Sequence, residues 1–361
     1  DVALRQRQDF AIIPCLDCAA IQSVDEWVDF LVAWLDAAGD RTSTFRVDGA
    51  AVVFTYGAYL LTPEQWRQIR QRLTAAEQPL HLIGDMDALY RRSTNPITAM
   101  RPYLEVFDGL YFFAPNVAEH EQALLALLDE KPGATRLFSV MPGYWRVNTG
   151  SFTTPYRGTR TYRDMWSLAH RLGVDWVSIT TWNDYSENTH IEPSRNGGDA
   201  YARLTRLESF AFRGSDPPAT TEAEALWLTA PAEMPDGPGP SPLESDSRRE
   251  TLFEVLRLGP IGTGPLRVDV TLADATGHPL LTRALALDTS TPVSDQQFSW
   301  EPTQALQQPY VWVQAETRDG RRARLPIPLW PRDIARRYTM APRRARLSQT
   351  PPDEPRVDIA A

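Results

Sequence analysis

The sequence predicts an α/β fold followed by an all-β region, and two observations support this prediction. From residue 10 to about residue 213, six short apolar runs alternate with segments of helical periodicity, which is the pattern of consecutive strand-helix units. Beyond Gly214, stretches rich in Pro and Gly precede short runs with partial period-two alternation, as expected of antiparallel strands. The 361 residues are enough for two domains of roughly 150 residues each.

The six apolar runs predict the strands of a parallel sheet. Most of them are apolar at successive positions rather than at alternate ones, which indicates strands that are covered on both faces. Each run is about five to seven residues long, the usual length of a strand. The predicted strands are 10–16, 51–56, 80–84, 109–113, 136–141 and 176–181.

Helix signals lie between these strands. Ser23 and Glu26 form a capping box ahead of an apolar stripe. Thr62 supplies the cap of the next helix, with Pro63 at its first position and Gln65 at its third. Further helices are predicted at 117–129, 162–172 and 199–212.

The number of units leaves two architectures open. A closed (β/α)8 barrel needs eight strand-helix units, whereas an open sheet tolerates six. If the fold is a TIM-type barrel, its first two strands are lacking in this chain.

The change in composition predicts four regions. Residues 1–214 form the (β/α) domain, which is N-terminally incomplete if it is a barrel. Residues 215–245 form a linker or irregular connection, because they are rich in Pro and Gly. Residues 246–331 form a small β-sandwich, and residues 332–361 form a largely disordered tail.

Composition also excludes several classes of protein. The sum of 37 basic and 46 acidic residues gives a net charge of −9, and a negative field repels phosphate backbones, so nucleic acid is not expected as a partner. No stretch approaches the roughly 20 uncharged apolar residues of a bilayer span. The sequence has no H-E-x-x-H, G-x-S-x-G or Walker A run, and neither a cofactor nor a metal is expected.

The densest polar cluster, residues 181–193, follows the last predicted α/β strand and reads TWNDYSENTHIEP. Catalytic groups of α/β folds concentrate in such loops at the carboxyl ends of strands. Asp184 and Glu187 are three residues apart, so they become neighbours only if the chain makes a helical turn there. Two carboxylates that close compete for ionisation, and the pair then supplies a general acid beside a base. Glycoside hydrolysis requires such a pair.

Aromatic residues follow the same strand ends. Trp182 and Tyr185 flank the two carboxylates, while Tyr56, Tyr144 and Trp145 follow other predicted strands. Sugar rings stack their C–H faces on aromatic planes, and their hydroxyls need carboxylates and amides. A saccharide groove is one interpretation. The alternative is a solvated acidic loop that caps a helix, with the rings as core or loop anchors.

The segment 181–193 resembles the signature of the clan that contains glycoside hydrolase families 71 and 99, the α-1,3-glucanases and the endo-α-mannosidases. Family 71 has a run close to TWNDYGESHYI, and family 99 has one that resembles SFNEWHEGTQIEP. Three more segments resemble family 99 in the expected order, YGAYL followed by PEQW at 56–66, FDG at 107–109 and SVMPGY at 139–144. The resemblance covers about residues 9–213.

The resemblance implies a (β/α)8 barrel in which Phe10 begins the third strand, and it implies an endo-acting glycosidase. Asp184 corresponds to the first carboxylate of the clan and Glu187 to the second, which is the acid/base. In family 99 the first carboxylate acts as base towards the sugar 2-hydroxyl and the anomer is retained. In family 71, which also has Asp first, the outcome is inversion through water. Asp is one methylene shorter than Glu and leaves more room for a water, so we favour inversion.

Other polar and aromatic residues at or just after predicted strand ends are candidates for binding the substrate. They are Asp17, Tyr56, Asp85, Asp87, Tyr144, Trp145, Trp182, Asn183, His190 and Glu192. The predicted partner is therefore an α-linked oligo- or polysaccharide, of the mannan or glucan type. A polysaccharide substrate implies export, to the periplasm or outside the cell.

Two other functions compete with this hypothesis. Asp85-Met86-Asp87 has the D-x-D form that can hold a divalent cation against a nucleotide sugar, as a glycosyltransferase would need. A non-catalytic carbohydrate-binding or structural protein would keep the groove without turnover.

Overall fold

The computed structural model describes residues 11–21, 23–38, 44–114, 118–146, 153–195, 197–215, 224–231, 234–235, 252–300, 302–303, 306, 308–330 and 343–349. The chain divides into two compact units. The first unit comprises Asp1–Val140 and Leu168–Thr180, and the second comprises Met141–Ser167 and Thr181–Ala361.

The described residues form helices and strands in the following order. The α-helices are α1 (Val24–Ala38), α2 (Pro63–Ala75), α3 (Asp87–Arg92), α4 (Pro96–Leu104), α5 (Ala118–Leu128), α6 (Arg160–Leu172) and α7 (Ala200–Phe212), with a 3-10 helix at Ala58–Leu60. The strands are β1 (Cys15–Asp17), β2 (Arg46–Val47), β3 (Ala50–Tyr56), β4 (Leu80–Asp85), β5 (Gly109–Tyr111), β6 (Thr135–Val140), β7 (Tyr144–Trp145), β8 (Thr153–Thr154), β9 (Trp176–Ile179), β10 (Ala225–Ala230), β11 (Met234–Pro235), β12 (Leu252–Leu258), β13 (Leu266–Ala273), β14 (Pro279–Leu287), β15 (Val293–Ser299), β16 (Tyr310–Thr317), β17 (Arg322–Trp330) and β18 (Arg343–Arg346).

Six strands of the first unit form one parallel sheet. Their order across the sheet, β1-β3-β4-β5-β6-β9, follows their order in the chain. A doubly wound sheet reverses its strand order at a switch point, whereas the strands of a barrel follow one another in sequence. The sheet is therefore part of a TIM-type barrel, and the predicted fold class is confirmed.

The parallel strands are covered on both faces, as their continuous apolar runs predict. One face carries a buried cluster against which further aromatic rings pack, and the cluster consists of Val52, Ile83, Tyr111 and Leu137. Val53 and Leu82 are also fully buried. Because successive residues of a strand point to opposite faces, these two lie on the other side of the sheet.

The capping box predicted at Thr62 is present. The Thr62 hydroxyl accepts the backbone N–H of Gln65 at 3.2 Å, and the Gln65 side chain accepts the N–H of Thr62 at 2.8 Å. Such a box satisfies two N–H groups at the start of α2 that have no partner within the helix. The short helices α3 and α4, between β4 and β5, were not predicted, since neither carries a long apolar stripe.

The second unit contains a β-sandwich of two sheets, whose strands are antiparallel except for the parallel pair β11 and β17. One sheet has the order β15-β12-β10-β18, and the other has the order β11-β17-β16-β13-β14. Alternate residues of facing strands fill the core between them, for example Phe253, Val255 and Val313. The residue between the first two, Glu254, therefore lies on the opposite face of its sheet.

The sandwich is larger than predicted, and both of its predicted boundaries need correction. β10 lies in the predicted linker 215–245, yet it pairs with β12 on one side and β18 on the other. Its six residues are all buried, so this apolar run forms a strand although the sequence around it is rich in Pro and Gly. β18 lies in the predicted disordered tail 332–361, where Arg344 is buried. Within that tail only residues 343–349 are described, and most of that linker lies outside the described residues.

Among the described helices, none is long and apolar enough to cross a bilayer.

Candidate active site

The acidic loop, residues 181–193, closes on itself at its base. The Thr181 N–H donates to the Thr189 carbonyl at 3.1 Å, and the Ile191 N–H donates to the Thr181 carbonyl at 3.1 Å. The hydroxyls of Thr181 and Thr189 lie 2.8 Å apart and share a hydrogen bond. These bonds hold the two ends together and leave residues 182–188 as the outer part of the loop.

The turn that the Asp184/Glu187 hypothesis requires is present. Asp184 Oδ1 accepts the Glu187 N–H at 3.0 Å and the Ser186 hydroxyl at 2.7 Å, while the Asp184 N–H donates to Thr181 Oγ1 at 3.0 Å. This is the local side-chain-to-backbone bonding that stabilises Asx turns. The turn brings the backbone of Glu187 to the carboxylate of Asp184, and it also occupies one oxygen of that carboxylate.

The carboxylate of Glu187 is held by two side chains from the segment that contains β7. The Tyr144 hydroxyl donates to Glu187 Oε1 at 3.1 Å, and Arg146 Nη1 lies 3.5 Å from the same oxygen. Tyr144 and Arg146 are two residues apart in an extended segment, so they point to the same side. The Trp145 N–H between them donates to the Glu187 carbonyl at 3.0 Å. The side chain of Glu187 remains 20% exposed, so a ligand can reach it.

Charge and burial keep Tyr144 in its donor form. Burial, together with the negative charge of Glu187, raises the pKa of Tyr144 to about 12. The phenol therefore stays protonated at neutral pH and continues to donate to Glu187.

Two aromatic side chains of the acidic loop are exposed. Trp182 is 55% exposed and Tyr185 is 50% exposed, although large aromatic rings bury well in protein interiors. The Tyr185 hydroxyl donates to Glu192 Oε2 at 2.6 Å, and its ring centroid lies 4.3 Å from that of His190. Burial lowers the pKa of His190, so the imidazole is neutral at neutral pH. The loop thus presents aromatic planes and polar groups together, which is the chemistry that sugars need.

Other predicted residues of the second unit occupy different positions. Asn183 is exposed, and its carbonyl accepts the Tyr185 N–H at 3.0 Å. Trp145 is buried, and it acts through its backbone, since its carbonyl also accepts Asn188 Nδ2 at 2.7 Å. The buried Trp145 ring is therefore not placed for the predicted sugar contact, and the backbone of Trp145 instead holds Glu187 and Asn188.

Four predicted residues belong to the first unit, where two of them sit side by side. Asp17 and Tyr56 end β1 and β3 and are partners in the strand register. Both are exposed, and the Tyr56 ring packs edge-on against Phe113 at 4.9 Å between centroids. Their contact with substrate stays a prediction.

Asp85 has a structural role in place of the predicted substrate contact. It is 2% exposed, and its two oxygens accept the backbone N–H groups of Gly57, Asp87 and Phe113, each at 3.0 Å. These three residues follow β3, β4 and β5, so one carboxylate ties three loops of the barrel together. Burial raises the pKa of Asp85 to about 6, against the opposing effect of the three hydrogen bonds.

The same contacts argue against a D-x-D metal site. Both oxygens of Asp85 are occupied by N–H donors, and Asp87 Oδ1 accepts Arg91 Nε at 2.8 Å. A divalent cation needs free carboxylate oxygens directed at one point, and these two side chains are directed at protein donors instead. The D-x-D motif therefore does not support a glycosyltransferase.

No protein-family model and no curated protein matches the sequence. Among solved structures, the chain is similar to a family 99 endo-alpha-mannosidase from Bacteroides thetaiotaomicron, with 20% identity over 56% of this chain and 66% of that chain and a TM-score of 0.49. It is also similar to a calcium-binding mutant of Bacteroides uniformis beta-glucuronidase 2, with 8% identity over 85% of this chain and 36% of that one and a TM-score of 0.42.

These solved structures are glycoside hydrolases. The chain spans slightly less than two thirds of the mannosidase chain, 66%. Both TM-scores lie below 0.5.

Sequence reasoning missed several residues around Glu187. Arg146 could have been found, since it stands two positions after Tyr144 and shares its side of an extended segment. Asn188 adopts a left-handed conformation with φ 55°, which Asn tolerates better than most residues, but nothing in the sequence indicates its bond to Trp145. Tyr156, whose hydroxyl donates to the Asn188 carbonyl at 3.0 Å, carried no recognised signal.

Proposed function

We propose that the protein hydrolyses α-linked glycosidic bonds with Asp184 and Glu187. The observation that carries the proposal is the arrangement at Glu187. A partly exposed carboxylate accepts a bond from Tyr144, lies near Arg146 and shares a tight turn with a second carboxylate. The resemblance of residues 181–193 to the clan signature supports the same assignment.

The chemistry follows from what the two carboxylates can do. Glu187 serves as the general acid that protonates the leaving glycosidic oxygen, because the resemblance makes it the acid/base. Asp184 has one oxygen in the turn and serves as base with the other, towards a water that attacks the anomeric carbon. Trp182 and Tyr185 provide exposed aromatic faces on which sugar rings can stack.

The proposed substrate is an α-mannan or α-glucan chain that is cut internally. Because such a substrate is a polymer, the proposed location of the protein is the periplasm or outside the cell. Inversion is the proposed stereochemistry, because an Asp base leaves room for a water. Proton NMR of the product immediately after cleavage would show the inverted anomer first. Initial formation of the retained anomer would rule out this stereochemistry without affecting the hydrolase assignment.

The test is release of reducing ends from α-mannans and α-glucans by the parent protein and by Asp184→Asn. We expect release by the parent from at least one α-linked polymer, and a loss of about 10²- to 10⁴-fold in Asp184→Asn, the usual contribution of a general acid or base. Asp269→Asn, an exposed change on β13, is the matched control and should keep parental activity. Equal activity of the parent and Asp184→Asn would contradict the proposal.

A second candidate is a non-catalytic carbohydrate-binding protein. The observation that favours it is the use of Asp184 Oδ1 as a turn-forming acceptor, since such a role needs no chemistry. This function predicts saturable binding of an α-linked polymer by the parent with no release of reducing ends. Loss of hydrolysis with unchanged affinity in Asp184→Asn would eliminate it.

A further inference from the structure

The turn at residues 156–159, just before α6, has an unfavourable backbone conformation. Arg157 has φ 47° and Gly158 has φ 68°, so two consecutive residues occupy the left-handed region. A non-glycine residue there costs free energy and persists only where surrounding groups fix it. Neighbouring groups must therefore fix this conformation.

Side chains from the sandwich hold the backbone of this turn. The Arg157 carbonyl accepts Gln297 Nε2 at 2.9 Å, and the Gly158 carbonyl accepts Arg344 Nη2 at 2.7 Å. The Thr159 N–H and hydroxyl donate to Glu254 Oε1 at 3.2 Å and 2.9 Å. These three side chains come from β15, β18 and β12, which belong to one sheet.

Glu254 is the centre of this arrangement. Its side chain has no exposed surface, and burial of a carboxylate is unfavourable unless donors surround it. Its Oε1 also accepts Gln297 Nε2 at 3.0 Å, and Arg163 Nη2 lies 3.8 Å away. A Cβ atom on Gly158 would lie 2.6 Å from Glu254 Cδ, so only glycine allows the carboxylate this close to the turn.

Tyr156 connects the turn to the proposed site. Its buried ring packs against Gly143, where an added Cβ would lie 2.6 Å from the ring, and Gly143 directly precedes Tyr144. Its hydroxyl donates to the carbonyl of Asn188, which directly follows Glu187. One side chain therefore contacts both segments that carry the carboxylate of Glu187 and its phenol donor.

We infer that Tyr156 and Glu254 are positioning residues for Glu187, and that the sandwich, through the 156–159 turn, is part of the support of the proposed site. The inference rests on the proposed glycosidase function, since positioning matters when a carboxylate reacts. Catalytic groups lose efficiency when their supporting groups let them move by about 1 Å. The sandwich thus supports the proposed site and is not a separate accessory module.

The test compares Tyr156→Phe and Glu254→Gln with the parent. We expect kcat to fall by up to about 100-fold in Glu254→Gln and by less in Tyr156→Phe, with KM unchanged, because the exposed rings of Trp182 and Tyr185 remain. Hydrogen–deuterium exchange should become faster in peptides covering 141–146 and 181–193, with exchange in β13 and β16 unchanged. Glu316→Gln, an exposed change on β16, is the matched control for both readouts.

The outcomes separate this inference from the proposed function. Unchanged kcat and unchanged exchange in Tyr156→Phe would overturn the positioning role, as would faster exchange throughout β13 and β16, which would show general destabilisation. A parent protein without hydrolytic activity would defeat the proposed function. In that case, faster exchange confined to 141–146 and 181–193 would still support the structural link, and its absence would overturn it.

Discussion

The end of β4 and the acidic loop, residues 181–193, each carry a carboxylate that was assigned to the site from the sequence, yet their surroundings differ. Asp85 is buried, and backbone N–H groups of three loops saturate both of its oxygens. Glu187 is partly exposed and is held by side chains, Tyr144 and Arg146. A carboxylate saturated by backbone donors serves the fold, whereas one held by side chains and open to solvent is available for chemistry.

Removal of Asp85 should lower the free energy of unfolding more than removal of Asp184. Asp85→Ala would leave one buried and two partly buried N–H groups without an acceptor, so we expect the free energy of unfolding to fall by about 3 kcal/mol. Asp184→Ala removes a turn-forming acceptor and should cost about 1 kcal/mol. Urea unfolding followed by circular dichroism measures both values. Equal losses in the two variants would contradict the structural role of Asp85.

A second prediction concerns pH. Burial raises the pKa of Asp85 from 3.8 to about 6, so the folded protein binds this proton more tightly than the unfolded chain does. The resulting stabilisation is complete below about pH 4 and is lost as the pH rises through about 6, with a total of about 3 kcal/mol at 1.36 kcal/mol per pKa unit.

Asp85→Asn isolates this effect, because an amide does not titrate. The difference in unfolding free energy between the parent and Asp85→Asn, measured by urea unfolding at a series of pH values, should change between about pH 4 and about pH 6. A difference that stays constant over this range would show that Asp85 keeps its ordinary pKa.

The smallest expected effect concerns the phenol beside Glu187. Tyr144→Phe removes the hydrogen bond to Oε1 and keeps the ring, so we expect kcat/KM to fall by about tenfold, equivalent to about 1.4 kcal/mol. Steady-state kinetics on the best α-linked polymer measures the change. Phe substitution at Tyr310, on β16 of the sandwich, is the control, and an equal fall there would contradict a specific role for Tyr144.

The part of the fold that depends on local pattern could be predicted from the sequence. Strand-helix alternation predicted a parallel sheet with helices between its strands, whereas the choice of a barrel over an open sheet came from the family resemblance. Thr62, Pro63 and Gln65 predicted the start of α2, because a capping box involves neighbours along the chain. β10 and β18 could not be predicted, since Pro- and Gly-rich or Arg-rich composition hid them. Their stability comes from cross-strand partners and from buried contacts such as the ring of Tyr201 beneath the Arg344 guanidinium, 4.3 Å away.

The site divides in the same way. The two-carboxylate hypothesis required a turn from Asp184 to Glu187, and local bonds from Asp184 to Thr181 and Glu187 form it. The role of Asp85 depends on Gly57 and Phe113, each 28 positions away in the chain, so no local pattern could reveal it. Glu254 did leave a signal, because a carboxylate inside the apolar run LFEVL indicates a buried partner.

The assignment of Glu187 as the proton donor is tested most directly by varying the leaving group. Glu187→Gln cannot protonate a sugar leaving group, so cleavage of the polymer should fall by about 10²- to 10⁴-fold. Cleavage of an α-glycoside of nitrophenol, whose anion departs without a proton, should fall far less. Equal losses on the two substrates, or no loss on either, would contradict the role of Glu187 as the proton donor.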